Sequence, residues 1–188
     1  MKKTQKTATS WLHPSVVRLS RVHFLYVALF TVQTVVYDTW KLITPFAVLN
    51  RWFLAGGLLA VTVIVWYLAK YTVKGTNGLK ALVSALILAD IAAASFNVYT
   101  QRGMASRAVA LYAVPIAVSA VLQSRVALLA TATLSMAAYT TTALSYFVLN
   151  FNEGYKIELY GEVGFYSLMF FVLAGILWTV IRARKMKN

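Results

Sequence analysis

Asp90 lies near the middle of an apolar stretch, ALVSALILADIAAASFNVY at residues 81–99, that otherwise has the composition of a membrane span. Residues four, seven and eleven positions apart share one face of a helix, and that face carries Asp90, Ala94, Asn97 and Gln101. A charged carboxylate at the bilayer centre costs at least about 2.5–3.5 kcal/mol on insertion scales. The sequence therefore predicts that Asp90 faces the protein interior, where it exchanges a proton or anchors a polar ligand.

Further polar side chains recur at helical spacing in the two apolar stretches that follow. The first stretch has Tyr112, Ser119 and Gln123 around Pro115, and the second has Ser135, Tyr139, Thr142 and Tyr146. A proline frees a carbonyl of the preceding turn, which is a usual way to bend a helix around a cavity. We therefore predict a ligand-binding site formed by Asp90, Asn97, Tyr112, Pro115, Ser135, Tyr139 and Thr142. The alternative is a structural clasp, in which a neutral Asp90 carboxyl only joins two helices by hydrogen bonds.

Other kinds of site find little support in the sequence. There is no cysteine, which excludes thiolate metal sites, disulfides and a cysteine nucleophile. His13 and His23 have no acidic residue near them in sequence, which is typical of solvated or interfacial histidines rather than of a metal site. No phosphate-binding glycine loop, Ser-His-Asp pattern or HExxH motif occurs. We expect neither an enzyme nor a metal site, and no particular cofactor is indicated.

The elements that position these residues follow from the composition. Of the 188 residues, 60% are hydrophobic and 12% are charged, whereas a soluble domain has about 25% charged residues. A helix needs about 20 apolar residues to cross the hydrocarbon core of a bilayer. The sequence predicts an all-α polytopic membrane protein with six transmembrane helices at 22–40, 52–69, 81–100, 108–124, 126–149 and 163–181. Asp90 is the only charged residue inside these windows apart from Asp38, at the edge of the first.

The net charge of +13 is carried by short segments between the windows, so it indicates anionic lipid headgroups as partners rather than nucleic acid. With both termini in the cytoplasm, only five of the eighteen basic residues lie outside: Lys41, Arg51, Arg102, Arg107 and Lys156. This distribution follows the positive-inside rule and predicts a multi-pass protein of the plasma (inner) membrane. The six-helix domain, residues 22–181, is then flanked by a basic cytoplasmic segment at 1–21, with an interfacial helix at 10–21, and a basic cytoplasmic tail at 182–188.

Small residues at four-residue spacing predict where neighbouring helices approach closely. They are Gly56 and Ala60 in the second window, and Ala85, Ala89 and Ala93 in the third. At these positions the absence of a large side chain lets two helix backbones come together.

From the third window onward, the sequence resembles a known family. The stretch LILADIAAASFNVYTQRGMASRAVALYAVPIAVSAVLQSRVALLATATLSMAAYTTTAL, residues 86–144, resembles the six-span membrane domain of RegB/PrrB-type sensor histidine kinases. The resemblance extends over about residues 81–150. In that family an aspartate of the third helix precedes a short outer loop with glycine, and a Leu/Tyr-x-x-Pro element follows in the fourth helix. Asp90, Gly103 and Pro115 occupy these places here.

The resemblance has two departures from the family pattern. The family's outer loop carries a Gly-Gly-x-x-Asn-Pro-Phe element linked to quinone sensing, whereas this chain has RGMASRAVA, in which only Gly103 matches. The family's kinase core would follow the sixth span, and the sequence ends at RARKMKN. We therefore expect no phosphotransfer from this sequence alone.

The resemblance implies a sensory or signal-input module without a catalytic core. A small lipophilic ligand, or the state of the membrane, would be read by the site around Asp90, and the signal would leave through the sixth span. The expected partners are the lipid bilayer, a lipophilic ligand, and either a second copy in a homodimer or a separate cytoplasmic signalling protein. One alternative is a small proton- or cation-coupled transporter that uses Asp90, although no inverted repeat is evident. A second alternative is a membrane scaffolding or assembly protein, which needs no polar cavity.

Overall fold

The computed structural model describes the backbone of residues 2–101, 103, 106–150 and 157–187, and the side chains of 11–101, 103, 106–150, 160–184 and 186. Arg102 and Lys156, two of the predicted outer basic residues, lie outside these ranges. The described residues are helical apart from short connections, and none of them is in a strand. The chain divides into two units, residues 1–89 and residues 90–188.

The helices are, in chain order, α1 (Lys2–Thr39), α2 (Pro45–Tyr67), α3 (Thr76–Thr100), α4 (Ala113–Ser119), α5 (Arg125–Leu149) and α6 (Ile157–Lys187). A π-helical turn continues α2, and 3-10 segments flank α4. Among the described residues, five helical stretches are long and apolar enough to cross a membrane: Trp11–Thr39, Pro45–Thr72, Thr76–Thr100, Arg125–Leu149 and Tyr160–Arg184. The stretch Arg107–Leu122 is apolar but shorter. The chain is therefore an all-helical, multi-pass membrane protein.

Helix α1 is continuous from Lys2 to Thr39, so residues 10–21 are part of one long helix instead of the separate interfacial helix that the sequence predicted. A buried side chain recurs every three or four residues along it, which is the spacing of a single helix face. These side chains are Leu12, Val16, Ser20, His23, Val27, Phe30 and Thr34. The spacing of these buried residues continues without a break past residue 22, the predicted start of the first span, so all of them lie on one face of a single helix. The helix is continuous even though Pro14 removes one backbone hydrogen bond.

Helix α2 begins earlier than the predicted window at 52. Thr44 is its N-cap and accepts a hydrogen bond from the Ala47 amide at 3.3 Å, and Pro45 occupies the first helical position. This early start places Arg51 inside the helix, with 3% of its surface exposed, so its prediction as an outer loop residue is wrong. The Thr-Pro pair before the apolar run is the sequence signal that marks the start.

The buried face of α2 is not the face that carries Gly56 and Ala60, which the sequence predicted as a site of close helix contact. Helix α1 packs against α2, and the buried residues of α2 are Val48, Arg51, Ala55, Leu58, Thr62 and Val65. Gly56 and Ala60 are exposed, and a Cβ atom added at Gly56 would meet no atom within 4 Å. The prediction of close helix contact at these two residues is therefore wrong within this chain.

His23 is buried, so the prediction of a solvated or interfacial histidine at this position is wrong. Its Nδ1 lies 2.7 Å from the Thr62 hydroxyl, and that hydroxyl donates its own proton to the Leu58 carbonyl at 2.6 Å. Because a hydroxyl has only one proton, the His23 Nδ1 must be the donor in the first of these hydrogen bonds. The contact joins α1 to α2 and fixes a proton on Nδ1.

The second unit contains residues 90–100 of α3 together with α4, α5 and α6. The predicted fourth span, 108–124, is formed by a 3-10 segment at Arg107–Tyr112, then α4, then a second 3-10 segment at Ala120–Leu122. Gln123 follows in a left-handed conformation, with φ of 49°, and reverses the chain. Ser124 then caps α5 by accepting a hydrogen bond from the Ala127 amide at 3.3 Å. Helix α4 packs against both α5 and α6, which also pack against each other.

Candidate functional site

The two predicted site residues of α3 are both buried. Asp90 has 1% of its surface exposed, so its carboxyl does not face the lipid. The Asn97 side chain donates to the Ala93 carbonyl at 2.9 Å and accepts from the Gln101 amide at 3.4 Å. These contacts lie within α3, so part of the hydrogen-bonding capacity of Asn97 serves its own helix. The predicted roles of Asp90, as a proton or ligand site or as a structural clasp, stay predictions.

The Tyr112 hydroxyl is hydrogen-bonded to a hydroxyl of α3. Its hydroxyl lies 2.8 Å from Ser95 Oγ, and the Ser95 hydroxyl donates to the Ile91 carbonyl at 2.8 Å. Because the Ser95 proton is used for this carbonyl, the Tyr112 hydroxyl must donate to Ser95. Thr142 of α5 also interacts with the Tyr112 hydroxyl. The direction of donation thus runs from Tyr112 to Ser95 of α3 and on to the Ile91 carbonyl.

Aromatic rings enclose the same region. The ring centroid of Tyr139 lies 5.9 Å from that of Tyr112, 6.1 Å from that of Tyr166 and 6.1 Å from that of Phe170. Phe170 also lies 5.6 Å from Tyr112. Most of these pairs meet edge to face, which is a favoured geometry for aromatic rings and is worth about 0.5–1.5 kcal/mol per pair beyond burial. We call Tyr112, Tyr139, Tyr166 and Phe170 the aromatic cluster.

Two hydroxyls of α5, those of Ser135 and of Tyr139 in the aromatic cluster, differ from the rest. Ser135 and Tyr139 are fully buried, and neither hydroxyl has a hydrogen-bond partner among the described residues. They are one helical turn apart and therefore lie on the same face of α5. A buried hydroxyl that makes no hydrogen bond costs about 1–3 kcal/mol relative to one that does. The two hydroxyls are donors available to a group that enters this core.

Four of the predicted site residues lie at or next to the aromatic cluster. Tyr112 and Tyr139 belong to the aromatic cluster, Thr142 interacts with the Tyr112 hydroxyl, and Ser135 lies one turn from Tyr139. Pro115 is buried in the first turn of α4, where a missing amide proton is tolerated. The site is a closed core, since Asn97, Tyr112, Ser135 and Tyr139 have none of their surface exposed.

The sequence interpretation missed three residues of this core: Ser95, Tyr166 and Phe170. Ser95 was overlooked because it lies beside, and not on, the face that carries Asp90 and Asn97. The signal for α6 was available in its spacing, since the buried residues Val163, Ser167, Phe170 and Ala174 recur every three or four positions. An apolar helix of this kind shows its inward face only weakly, because its outward face is apolar as well.

Comparison with known proteins gives no match to this chain, whether among family models, curated proteins or solved structures.

Two tyrosines of the aromatic cluster differ in a way that predicts opposite effects of the same substitution. Tyr112→Phe removes the donor to Ser95 and should lower the free energy of unfolding by about 1 kcal/mol. Tyr139→Phe removes a hydroxyl without a partner and should leave the free energy of unfolding unchanged or raise it by about 1 kcal/mol. Both variants keep the phenyl ring and its contacts, so any difference in the free energy of unfolding comes from the lost hydroxyl. Denaturant unfolding in detergent micelles measures the difference, and equal losses in both variants would contradict it.

Proposed function

We propose that this chain is a sensory or signal-input module of the plasma membrane, with six crossings, both termini in the cytoplasm and no catalytic activity of its own. The core around Ser135 and Tyr139 recognises a small lipophilic ligand that carries hydrogen-bond acceptors. Binding there alters the packing of α6, and α6 transmits the change to the cytoplasmic end of the chain. The helical stretch Arg107–Leu122 supplies the sixth crossing together with its flanking turns.

The observation that carries this proposal is the unsatisfied pair of hydroxyls on α5. In helices of this chain, several serine and threonine hydroxyls donate to the carbonyl four residues earlier. This is the case for Ser15, Ser20, Thr31, Thr34, Thr62, Ser95, Thr133 and Thr179. The Ser135 hydroxyl does not donate to the carbonyl four residues earlier, and the Tyr139 hydroxyl has no hydrogen-bond partner among the described residues either. Natural proteins keep such costs mainly at functional sites, where stability is given up for binding.

The packing of the aromatic cluster supports a path for the signal. Tyr139 of α5 contacts Tyr166 and Phe170 of α6 through their rings. Since the core is closed, a ligand enters only when these rings move, and a ligand that prefers the opened arrangement shifts the population toward it. The first element to respond is α6, which carries the aromatic ring of Phe170 and, further along, the basic residues Arg182 and Arg184.

The proposal is tested by thermal unfolding of the purified protein with a short-chain ubiquinone as the probe. Its ring is lipophilic and its two carbonyls accept hydrogen bonds from the Ser135 and Tyr139 hydroxyls. A ligand that binds only the folded state, at a hundred times its dissociation constant, stabilises it by about 2.7 kcal/mol. We expect the probe to raise the melting temperature of the wild type, and this increase to disappear in Ser135→Ala and Tyr139→Phe.

The matched control for this experiment is Tyr146→Phe, because Tyr146 lies on the same helix and is outside the aromatic cluster. It should keep the full increase in melting temperature. An equal increase in all the variants means that the quinone only partitions into the detergent or lipid, and an absence of any increase in the wild type counts against a quinone-like ligand.

A second candidate function is a proton- or cation-coupled transporter, and the burial of Asp90 within a membrane-length helix favours it. Wild type and Asp90→Asn should then differ in proton flux across reconstituted vesicles, measured with an internal pH-sensitive dye. The substitution keeps the size and hydrogen-bonding shape of the side chain but removes the exchangeable proton. Flux that depends on Asp90 favours the transporter, whereas equal and background-level flux in both proteins favours the sensory module.

A further inference from the structure

A groove opens in the second unit where α5 begins and α6 approaches its end. It has a volume of about 310 Å³ and is lined by Arg125, Leu128, Leu129, Gly175, Trp178 and Arg182. We propose that this groove binds an anionic phospholipid. The two guanidinium groups hold the phosphate, and one acyl chain lies along the apolar floor.

The position of the groove along the helices suits a phospholipid headgroup. Arg125 is the first residue of α5, and Arg182 is near the end of the membrane-length part of α6. Because the two helices are consecutive in the chain and pack against each other, the start of α5 lies beside the end of α6. Trp178 lies one turn before Arg182, and tryptophan is enriched at the level of the headgroups.

The charge of the groove selects an anion. Arg125 and Arg182 are exposed, and neither pairs with a carboxylate among the described residues. The guanidinium group presents several N–H donors in a planar fork that matches phosphate oxygens, and it is less strongly hydrated than an ammonium group. Basic pockets between membrane helices at the level of the headgroups are a recurring way to bind anionic lipids.

The floor of the groove provides space for an acyl chain. Leu128 and Leu129 follow Arg125 by three and four residues, so they share its face of α5. On α6, a Cβ atom added at Gly175 would meet no atom within 4 Å, so the glycine leaves the floor open. A soluble anion would gain nothing from this apolar surface, whereas a lipid tail buries itself against it. The groove thus combines two features that only a lipid satisfies together.

The experiment measures lipid binding to the purified full chain by native mass spectrometry and in nanodiscs. Phosphatidylglycerol is titrated against phosphatidylcholine with the same acyl chains. We expect the wild type to retain phosphatidylglycerol preferentially, and Arg125→Gln and Arg182→Gln each to weaken its retention about tenfold, as the loss of a hydrogen bond to a charged group predicts. Gly175→Leu fills the floor without changing the charge and should also weaken retention, whereas Gly175→Ala should have little effect.

Arg184→Gln is the matched control. Arg184 is exposed and two residues from Arg182, so it points away from the groove while contributing the same charge to the same helix end. If Arg184→Gln weakens retention as much as Arg182→Gln, the preference is only a general attraction to a basic surface and the proposal is overturned. Competition by inorganic phosphate at millimolar concentration overturns it as well, because it identifies a site for a free anion. Circular dichroism and the elution volume of each variant establish that it is folded, and Gly175→Leu tests the groove independently of both arginines.

Discussion

Replacing Gly103 with alanine should lower the free energy of unfolding by about 2–4 kcal/mol. Gly103 is buried and has a φ of +61°, a left-handed conformation that costs a residue with a Cβ atom about 1–2 kcal/mol. An added Cβ would lie 2.9 Å from Cδ1 of Tyr146 and 3.0 Å from its Cβ and Cγ, and forcing atoms into a packed region typically costs about 1–3 kcal/mol. The Tyr146 ring has little freedom to move away, because it meets the Tyr99 ring edge to face at 5.9 Å.

Denaturant or thermal unfolding in micelles measures this loss, with Gly164→Ala as the control. Gly164 lies in α6, where an added Cβ would meet no atom within 4 Å. In a helix interior, alanine is favoured over glycine by about 0.5–1 kcal/mol, so the control should be unchanged or slightly stabilised. Similar free energies of unfolding for the two variants would mean that position 103 tolerates a side chain. That result would contradict the expected clash between an added Cβ atom and Tyr146.

Removing the Arg51 side chain should have the largest effect on the first unit, with Arg51→Ala lowering the free energy of unfolding by about 3–5 kcal/mol. The guanidinium group donates from Nη2 to the Gln33 side chain at 2.7 Å and from Nε to the Thr34 hydroxyl at 3.3 Å. Its Cζ lies 4.5 Å from the centre of the Phe30 ring and 4.8 Å from that of Tyr37. Each hydrogen bond to a charged group contributes about 1.5–3 kcal/mol, and each cation–π contact about 0.5–2 kcal/mol.

Two further variants separate the geometry of Arg51 from its charge. Arg51→Lys keeps the positive charge but loses the planar fork that reaches two acceptors at once, so we expect a loss of about 2 kcal/mol. Arg21→Ala removes an exposed arginine from α1 and should change the free energy of unfolding by less than about 0.5 kcal/mol. A Lys variant as stable as the wild type would show that the charge alone matters, and an equal loss at Arg21 would show that any arginine of this unit has the same effect.

The proposed functional core and the proposed lipid groove use the same helix. Phe170 of α6 belongs to the aromatic cluster, and Arg182 of α6 lines the groove three turns later. The two proposed sites therefore lie on one continuous helix. Lipid retention and the response to the quinone probe are nevertheless measured separately, so either proposal can fail without the other.

The sequence predicted several features of the proposed functional core because they depend on one helix at a time. Asp90, Asn97, Tyr112, Ser135 and Tyr139 were selected by their spacing, and all five are buried. A polar residue in a helix of apolar composition is expensive on the lipid side, so its inward position follows from local sequence. The assignment of Arg51 to an outer loop failed because the Thr44–Pro45 helix start was overlooked, and seven more residues of helix carry the arginine inward.

By itself, then, the sequence determined the class of the protein and the approximate position of the membrane-length helices. Length and hydropathy are sums over consecutive residues, and they are compared with the fixed thickness of a bilayer. Only the tertiary structure decided which hydroxyls have partners, since Tyr112 donates to Ser95 whereas Tyr139, a residue of the same type, has no hydroxyl partner among the described residues. It also decided that Gly56 is exposed and that Arg125 and Arg182 share a groove. These outcomes depend on how each helix is rotated and shifted against its neighbours, and an apolar helix with two similar faces does not encode that choice in its own spacing.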